Sequence, residues 1–248
     1  MKLTIFLIIS LIAVIATSAR GEEPVEFADA DLKAAVRGVS TGIFYGKGEV
    51  CAAGSRLFVE ESIRDEFTAT LVDAAARMLP GDPSHPKTRL GAIVSKSQQE
   101  RVLGYIEAGR EEGARLRTGG KPATVDGKGY FVEATIFDEV SVDMTIANEE
   151  IFGPVLAVLG FQDAADAVEK ANRTIYGLAA GVWTRDVGTA HRFAREVKAG
   201  TVWINTYNRY DSASPFGGFK QSGFGRDLGE HALQEYTQTK SVWVALDG

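Results

Sequence analysis

Apolar, β-prone stretches alternating with helix-period stretches constrain this chain more than any other feature. Residues 155–161, 178–183 and 201–204 are such strand-like stretches. Between the first two, Ala164, Ala167, Val168 and Ala171 repeat at helical spacing. Between the second and third, Ala190, Phe193, Ala194 and Val197 do the same, and Gly200 is placed to cap that helix at its carboxyl end. A helix between two strands returns the chain so that the next strand runs the same way. The fold class is therefore α/β with a largely parallel sheet.

The first half reads in the same manner. Asp29 or Asp31 caps a helix whose inward face is Leu32, Ala35, Val36, Val39 and Ile43. Gly42, Gly46 and Gly48 then loosen the backbone before Cys51, and residues 56–59 form a strand. Ser62 opens a second helix with Ile63, Phe67, Leu71, Ala75 and Met78 inward, ended by the turn at residues 80–83. Ser97 and Glu100 match a capping box for a third helix. Residues 119–129 are a turn-rich surface hairpin, and residues 241–244 are a last strand with no partner near in sequence.

Composition narrows the function. A net charge of −6 with no basic stripe argues against nucleic acid as a partner. The one cysteine excludes an internal disulfide. Residues 1–22 differ from the rest: Lys2, an apolar run and then small residues resemble a secretory leader. If genuine, it directs the chain to secretion or to a membrane; the run is shorter than the ~20 residues of a spanning helix.

Three glycine-containing clusters carry the chemistry. Cys51 sits among Gly48, Ala52, Ala53 and Gly54. A lone cysteine is most often a small buried residue. Small neighbours also describe an approachable thiol whose adjacent N–H groups hold an oxyanion. Glu149 and Glu150 precede Ile151, Phe152, Gly153 and Pro154; they either cap a turn or accept hydrogen bonds from a sugar diol. Residues 214–226 set three phenylalanines among four glycines, either a mobile loop or an aromatic-lined site. There is no G-x-G-x-x-G after a strand, no phosphate-binding G-x-x-x-x-G-K-[ST] and no G-x-S-x-G elbow. His85, His191 and His231 lack metal-ligand spacing, so no metal is expected.

Together the clusters resemble the aldehyde dehydrogenase superfamily, from about Phe27 to the end of the chain. G-E-V-C-A-A-G-S-R (48–56) is similar to its nucleophile segment, with Cys51 at the catalytic position. E-E-I-F-G-P-V (149–155) looks like the segment that holds the nicotinamide ribose, with Glu150 as the ribose-binding carboxylate and Phe152 as its packing partner. S-P-F-G-G-F-K-Q-S-G-F-G-R (214–226) is similar to the C-terminal signature, and Asn205, Tyr210 and Phe216 fall on the loop that lines the substrate tunnel. Asp227 stands where relatives often carry a Glu in a water relay.

The resemblance implies an aldehyde dehydrogenase-like catalytic domain over residues 23–223. A C-terminal helix and oligomerisation strand follow over residues 224–248, and most of the cofactor-binding domain is missing. It implies oxidation of a small-molecule aldehyde to a carboxylic acid with NAD or NADP, in a cytoplasmic homo-oligomer. The family's general-base Glu falls near residues 17–19, inside the leader-like run, so low activity is expected of these 248 residues alone. Two alternatives stay open: a remnant acting through oligomer contacts, and a cofactor-independent cysteine esterase.

Overall fold

The computed structural model describes residues 23–246, so the leader-like residues 1–22 lie outside the description. In chain order the elements are β1 (Glu23–Glu26), α1 (Leu32–Phe44), β2 (Arg56–Glu60), α2 (Arg64–Ala76), α3 (Lys96–Glu111), β3 (Arg115–Thr118), β4 (Pro122–Val125), β5 (Lys128–Val132), β6 (Thr135–Asp138), α4 (Thr145–Asn148), β7 (Val155–Phe161), α5 (Ala164–Asn172), β8 (Ala179–Trp183), α6 (Val187–Glu196), β9 (Thr201–Ile204) and α7 (Ala232–Glu235). Seven strands form one sheet in the order β3-β6-β7-β2-β1-β8-β9. Every neighbouring pair is parallel except β3 with β6. The expected α/β fold with a largely parallel sheet is what the chain adopts.

Two apolar clusters sit on opposite faces of the sheet. One joins Val102 and Ile106 of α3, Ala167 and Ala171 of α5, and Ala190 and Phe193 of α6 to Val25, Phe58 and Val182. The other joins α1 and α2 through Val36, Val39, Ile43, Phe67 and Leu71 to Leu57, Val158 and Trp183. The period-2 pleat divides each strand between the two clusters.

Strand β1 has a central place in the sheet, yet it is four residues long and carries Pro24 and two glutamates. Nothing in that composition signals a strand. The edge strand β3 is pinned by Asp138 of β6, whose carboxylate pairs with both Arg115 and Arg117. The surface hairpin is β4–β5, a separate two-stranded sheet. Its turn places Asp126 and Gly127 at φ 52° and 69°, the left-handed pair a tight hairpin needs.

Local signals hold at some helix ends and fail at others. Asp31 caps α1, accepting the Ala34 N–H at 3.0 Å. Asp29 instead accepts the Thr184 hydroxyl at 2.7 Å and the Arg185 N–H at 2.9 Å. The cap of α3 is Ser95, which accepts the Gln98 N–H at 3.2 Å, and not Ser97, which lies exposed inside the helix. Helix α2 has no side-chain cap; the Ser62 hydroxyl donates to Glu60 at 2.9 Å. Helix α6 ends at Val197 in extended backbone, so Gly200 does not cap it. A Cβ on Gly200 would lie 1.7 Å from the Gly217 carbonyl oxygen, and that close approach is what requires glycine there. Residues 241–244 pair with no strand among the described residues, and Trp243 is 90% exposed.

Candidate active site

The first two clusters meet at the amino ends of neighbouring strands. After α1 the backbone turns through Gly46, Lys47 and Gly48 at φ 58°, 54° and 74°. The turn is closed by Ala53 N–H donating to Val50 O at 3.0 Å and Gly54 N–H donating to Gly42 O at 3.3 Å. Glu49 anchors the turn from below, accepting the Val94 N–H at 3.1 Å and pairing with Lys47 at 3.2 Å. Cys51 stands half-buried at the top of the turn, with Ala52, Ala53 and Gly54 buried behind it.

The Glu150 segment is pressed against this turn. A Cβ on Gly48 would lie 2.1 Å from the Gly153 carbonyl oxygen, so the two backbones touch. Cys51, Glu150, Phe152 and Gly153 line one crevice together with Gly48 and Ser55. Phe152 is held at φ 56°, an uncommon conformation for a bulky residue. Helix α3 maintains it: the Gln98 amide donates to Ile151 O at 3.2 Å and Phe152 O at 2.9 Å, and Arg101 donates to Glu150 O at 2.9 Å. The two glutamates part company here. Glu149 turns outward and accepts the Tyr105 hydroxyl at 2.8 Å. Burial and that bond push the Tyr105 phenol up to about 12. Glu150 lines the crevice beside the thiol.

Asn205, Tyr210 and Phe216 are divided between two hollows. Asn205 and Tyr210 line a cavity of about 630 Å³ with Thr41, Tyr45 and Val50. Phe216 lines a second hollow of about 460 Å³ with Cys51, Asp227 and Glu235. The Tyr210 and Phe216 rings meet edge to face, centroids 5.2 Å apart. Asn205 is structurally committed: its amide donates to Thr184 O at 2.9 Å and its oxygen accepts the Thr184 N–H at 3.0 Å. Backbone bonds of 2.7 and 2.8 Å join Phe216 and Asp227, which brings that carboxylate to the Cys51 side.

Tyr207 was not singled out in the sequence. It is buried, stacks near Trp183 at 6.0 Å and packs on Trp203 at 4.7 Å. Cβ atoms placed on Gly42 and Gly181 would meet its ring at 3.0 and 2.7 Å. Arg37 and Arg209 also line the larger cavity. Aromatic residues at positions 203, 207, 210 and 216 are a weak signal for such a wall, and two surface arginines are none at all. Among the described residues, no helix is long and apolar enough to cross a membrane.

Comparison with known proteins gives the family and the fold. The chain matches the aldehyde dehydrogenase family over residues 22–242. A betaine aldehyde dehydrogenase of Sinorhizobium fredii is 49% identical over 91% of this chain and 47% of its own length. Aldehyde dehydrogenase 1A1 of Gallus gallus is 46% identical over 91% of this chain and 44% of its own length. The NAD+ complex of an aldehyde dehydrogenase from Bacillus cereus superposes with a TM-score of 0.89 at 48% identity, over 92% of this chain and 46% of that one. The chain spans about half the length of the relatives it matches.

Proposed function

This chain belongs to the aldehyde dehydrogenase family, and on that premise we propose that it carries the catalytic cysteine of an NAD(P)-dependent oxidation of an aldehyde to a carboxylic acid. The observation that carries the reading is the crevice in which Cys51 and Glu150, ninety-nine positions apart, stand together with Phe152.

The residues fit the nicotinamide-ribose end of such a cofactor. Glu150 is a half-buried carboxylate suited to accepting two sugar hydroxyls, and Phe152 offers a ring beside it. When bound, the nicotinamide supplies a hydride acceptor. The chain's own residues do the rest. The Cys51 thiolate attacks the carbonyl carbon; a carbon–sulfur bond forms and the carbonyl π pair moves onto oxygen. The Cys51 backbone N–H is suited to holding part of that oxyanion's charge. With a nicotinamide bound as hydride acceptor, the adduct held on Cys51 would give up its C–H hydride as the oxyanion pair re-forms the carbonyl, leaving a thioester on Cys51. Water then adds, its proton goes to a base, and the carbon–sulfur bond breaks to release the acid and the thiolate. Asp227 lines the hollow on this side of Cys51 and is suited to orienting the water. The aldehyde enters along the wall of Asn205, Tyr210 and Phe216. Residues 23–223 form the catalytic domain, and residues 224–248 serve association between copies.

Protection of the thiol tests the reading. Excess aldehyde should slow iodoacetamide labelling of Cys51 several-fold, read by peptide mass spectrometry. NAD+ should add protection that Glu150→Gln removes. Labelling indifferent to both ligands overturns the assignment. Ester cleavage without cofactor, lost in Cys51→Ser, would favour a thiol hydrolase instead.

A further inference from the structure

The larger cavity says something about the far end of the substrate, an inference that rests on Cys51 being the nucleophile. The cavity reaches Val50, the residue next to Cys51, and its volume of about 630 Å³ is ordinary for a small-molecule site. Tyr45 and Tyr210 flank it, 66% and 50% exposed. Aromatic flanks alone would accept an apolar tail or, through their ring faces, a quaternary ammonium.

The charged lining decides between these. Arg37 of α1 and Arg209 of the loop after β9 both line the cavity, and no carboxylate does. No salt bridge among the described residues holds either guanidinium. Asp31, the N-cap of α1, keeps its charge and acts on Arg37 from outside the lining. Asn208 adds a polar amide between the two arginines and accepts the Tyr210 hydroxyl at 3.3 Å. A cationic tail placed here meets two like charges and no carboxylate in the lining. An anionic tail meets two forked donors.

We propose that this site takes an aldehyde bearing a carboxylate at the end remote from the carbonyl, with Arg37 and Arg209 as the residues that select it. Both side chains are exposed. Each is therefore worth a modest factor, about threefold for an exposed pair, and the effect weakens with salt.

Because Cys51 is the only thiol, two methanethiosulfonates with the same reactive group test this on the full chain without cofactor. One has a sulfonatoethyl tail, the other a trimethylammonioethyl tail. Their rate ratio on Cys51, divided by the ratio for 2-mercaptoethanol, should favour the anion by about tenfold at low ionic strength. The preference should fall about threefold in Arg37→Gln and in Arg209→Gln. It should vanish in the double variant, survive in the double Lys variant, and shrink at high salt. A normalised ratio at or below one overturns the proposal, as does a preference that the double Gln variant leaves unchanged. Failure of Cys51 to react even with neutral iodoacetamide is a different result: it overturns the nucleophile assignment, and the substrate inference with it.

Discussion

At the residue scale, the most costly group in the fold is Glu26. It is fully buried in β1, both carboxylate oxygens lack a hydrogen-bond partner among the described residues, and its register neighbours are Val59 and Trp183. Burial holds its pKa well above the ordinary glutamate value. An unfolded chain releases this proton near about pH 4.3, whereas the folded chain keeps it to higher pH. Stability present below that value is therefore lost as pH rises towards the folded value. Wild-type protein should melt at a lower temperature at pH 8 than at pH 5, and Glu26→Val should flatten the profile. Removing two unsatisfied oxygens should add about 1–3 kcal/mol, roughly 2–4 °C in Tm per kcal/mol. An unchanged slope of Tm against pH would show that Glu26 is not the titrating group. Gly48 is the opposite case, a residue whose lack of a side chain permits the site. At φ 74°, with a would-be Cβ 2.1 Å from Gly153 O, Gly48→Ala must part the Cys51 turn from the Glu150 segment. We expect the NAD+-dependent protection of Cys51 to disappear in that variant while thiol labelling itself persists.

At the element scale, helix α3 does two things. Its N-cap is Ser95, so Ser95→Ala should cost about 1 kcal/mol in urea unfolding, while Ser97→Ala stays within about 0.5 kcal/mol. The reverse order would restore Ser97 as the cap. The sequence offers both serines, since Ser95-x-x-Gln98 matches a capping box as well as Ser97-x-x-Glu100 does. The choice between them is tertiary. Gln98 must stand half-buried at the third position to reach the carbonyls of Ile151 and Phe152, and starting the helix two residues later would displace it. The second role follows from that contact. Gln98→Ala leaves two carbonyls without their donor and should speed amide exchange at residues 151–153, with the sheet unaffected. The motif at 149–155 was legible in the sequence; the helix that clamps it was not, because the two are joined only through space.

For the whole molecule, association is the property most open to measurement. Val242, Trp243, Val244 and Leu246 are 74%, 90%, 73% and 89% exposed, an apolar tail of strand-forming residues with no ladder among the described residues. Such an edge is a template for pairing with another copy. Light scattering should give a mass above the 26.7 kDa of one chain, and removal of residues 241–248 should lower it. A monodisperse monomer at micromolar concentration would refute this role for the tail. The placement of the site is also a property of the whole. Open α/β sheets commonly bind ligands beyond the carboxyl ends of their strands. Here Cys51 precedes β2, Glu150 precedes β7 and Leu178 precedes β8, so the Cys51 hollows lie at the amino ends.

Local sequence carries the fold class and most of the helices, and it brings forward Cys51, Glu150 and Phe152 as candidates. Those depend on local periodicity and on short motifs, where neighbouring residues carry the physical reason. Tertiary structure alone decided the rest. Strand β1 forms although its residues disfavour it, because β2 and β8 close on it from both sides. Gly200 is required by the approach of Gly217, not by the end of a helix. Glu149 and Glu150 look alike in the chain and are separated only when Tyr105 takes one of them. Arg37 and Arg209 acquire a common purpose because α1 and the loop after β9 converge on one cavity. Contacts that join residues through space, from seventeen positions apart at Gly200 and Gly217 to more than a hundred and fifty between β1 and β8, leave no mark on either neighbourhood, so no reading of local sequence contains them.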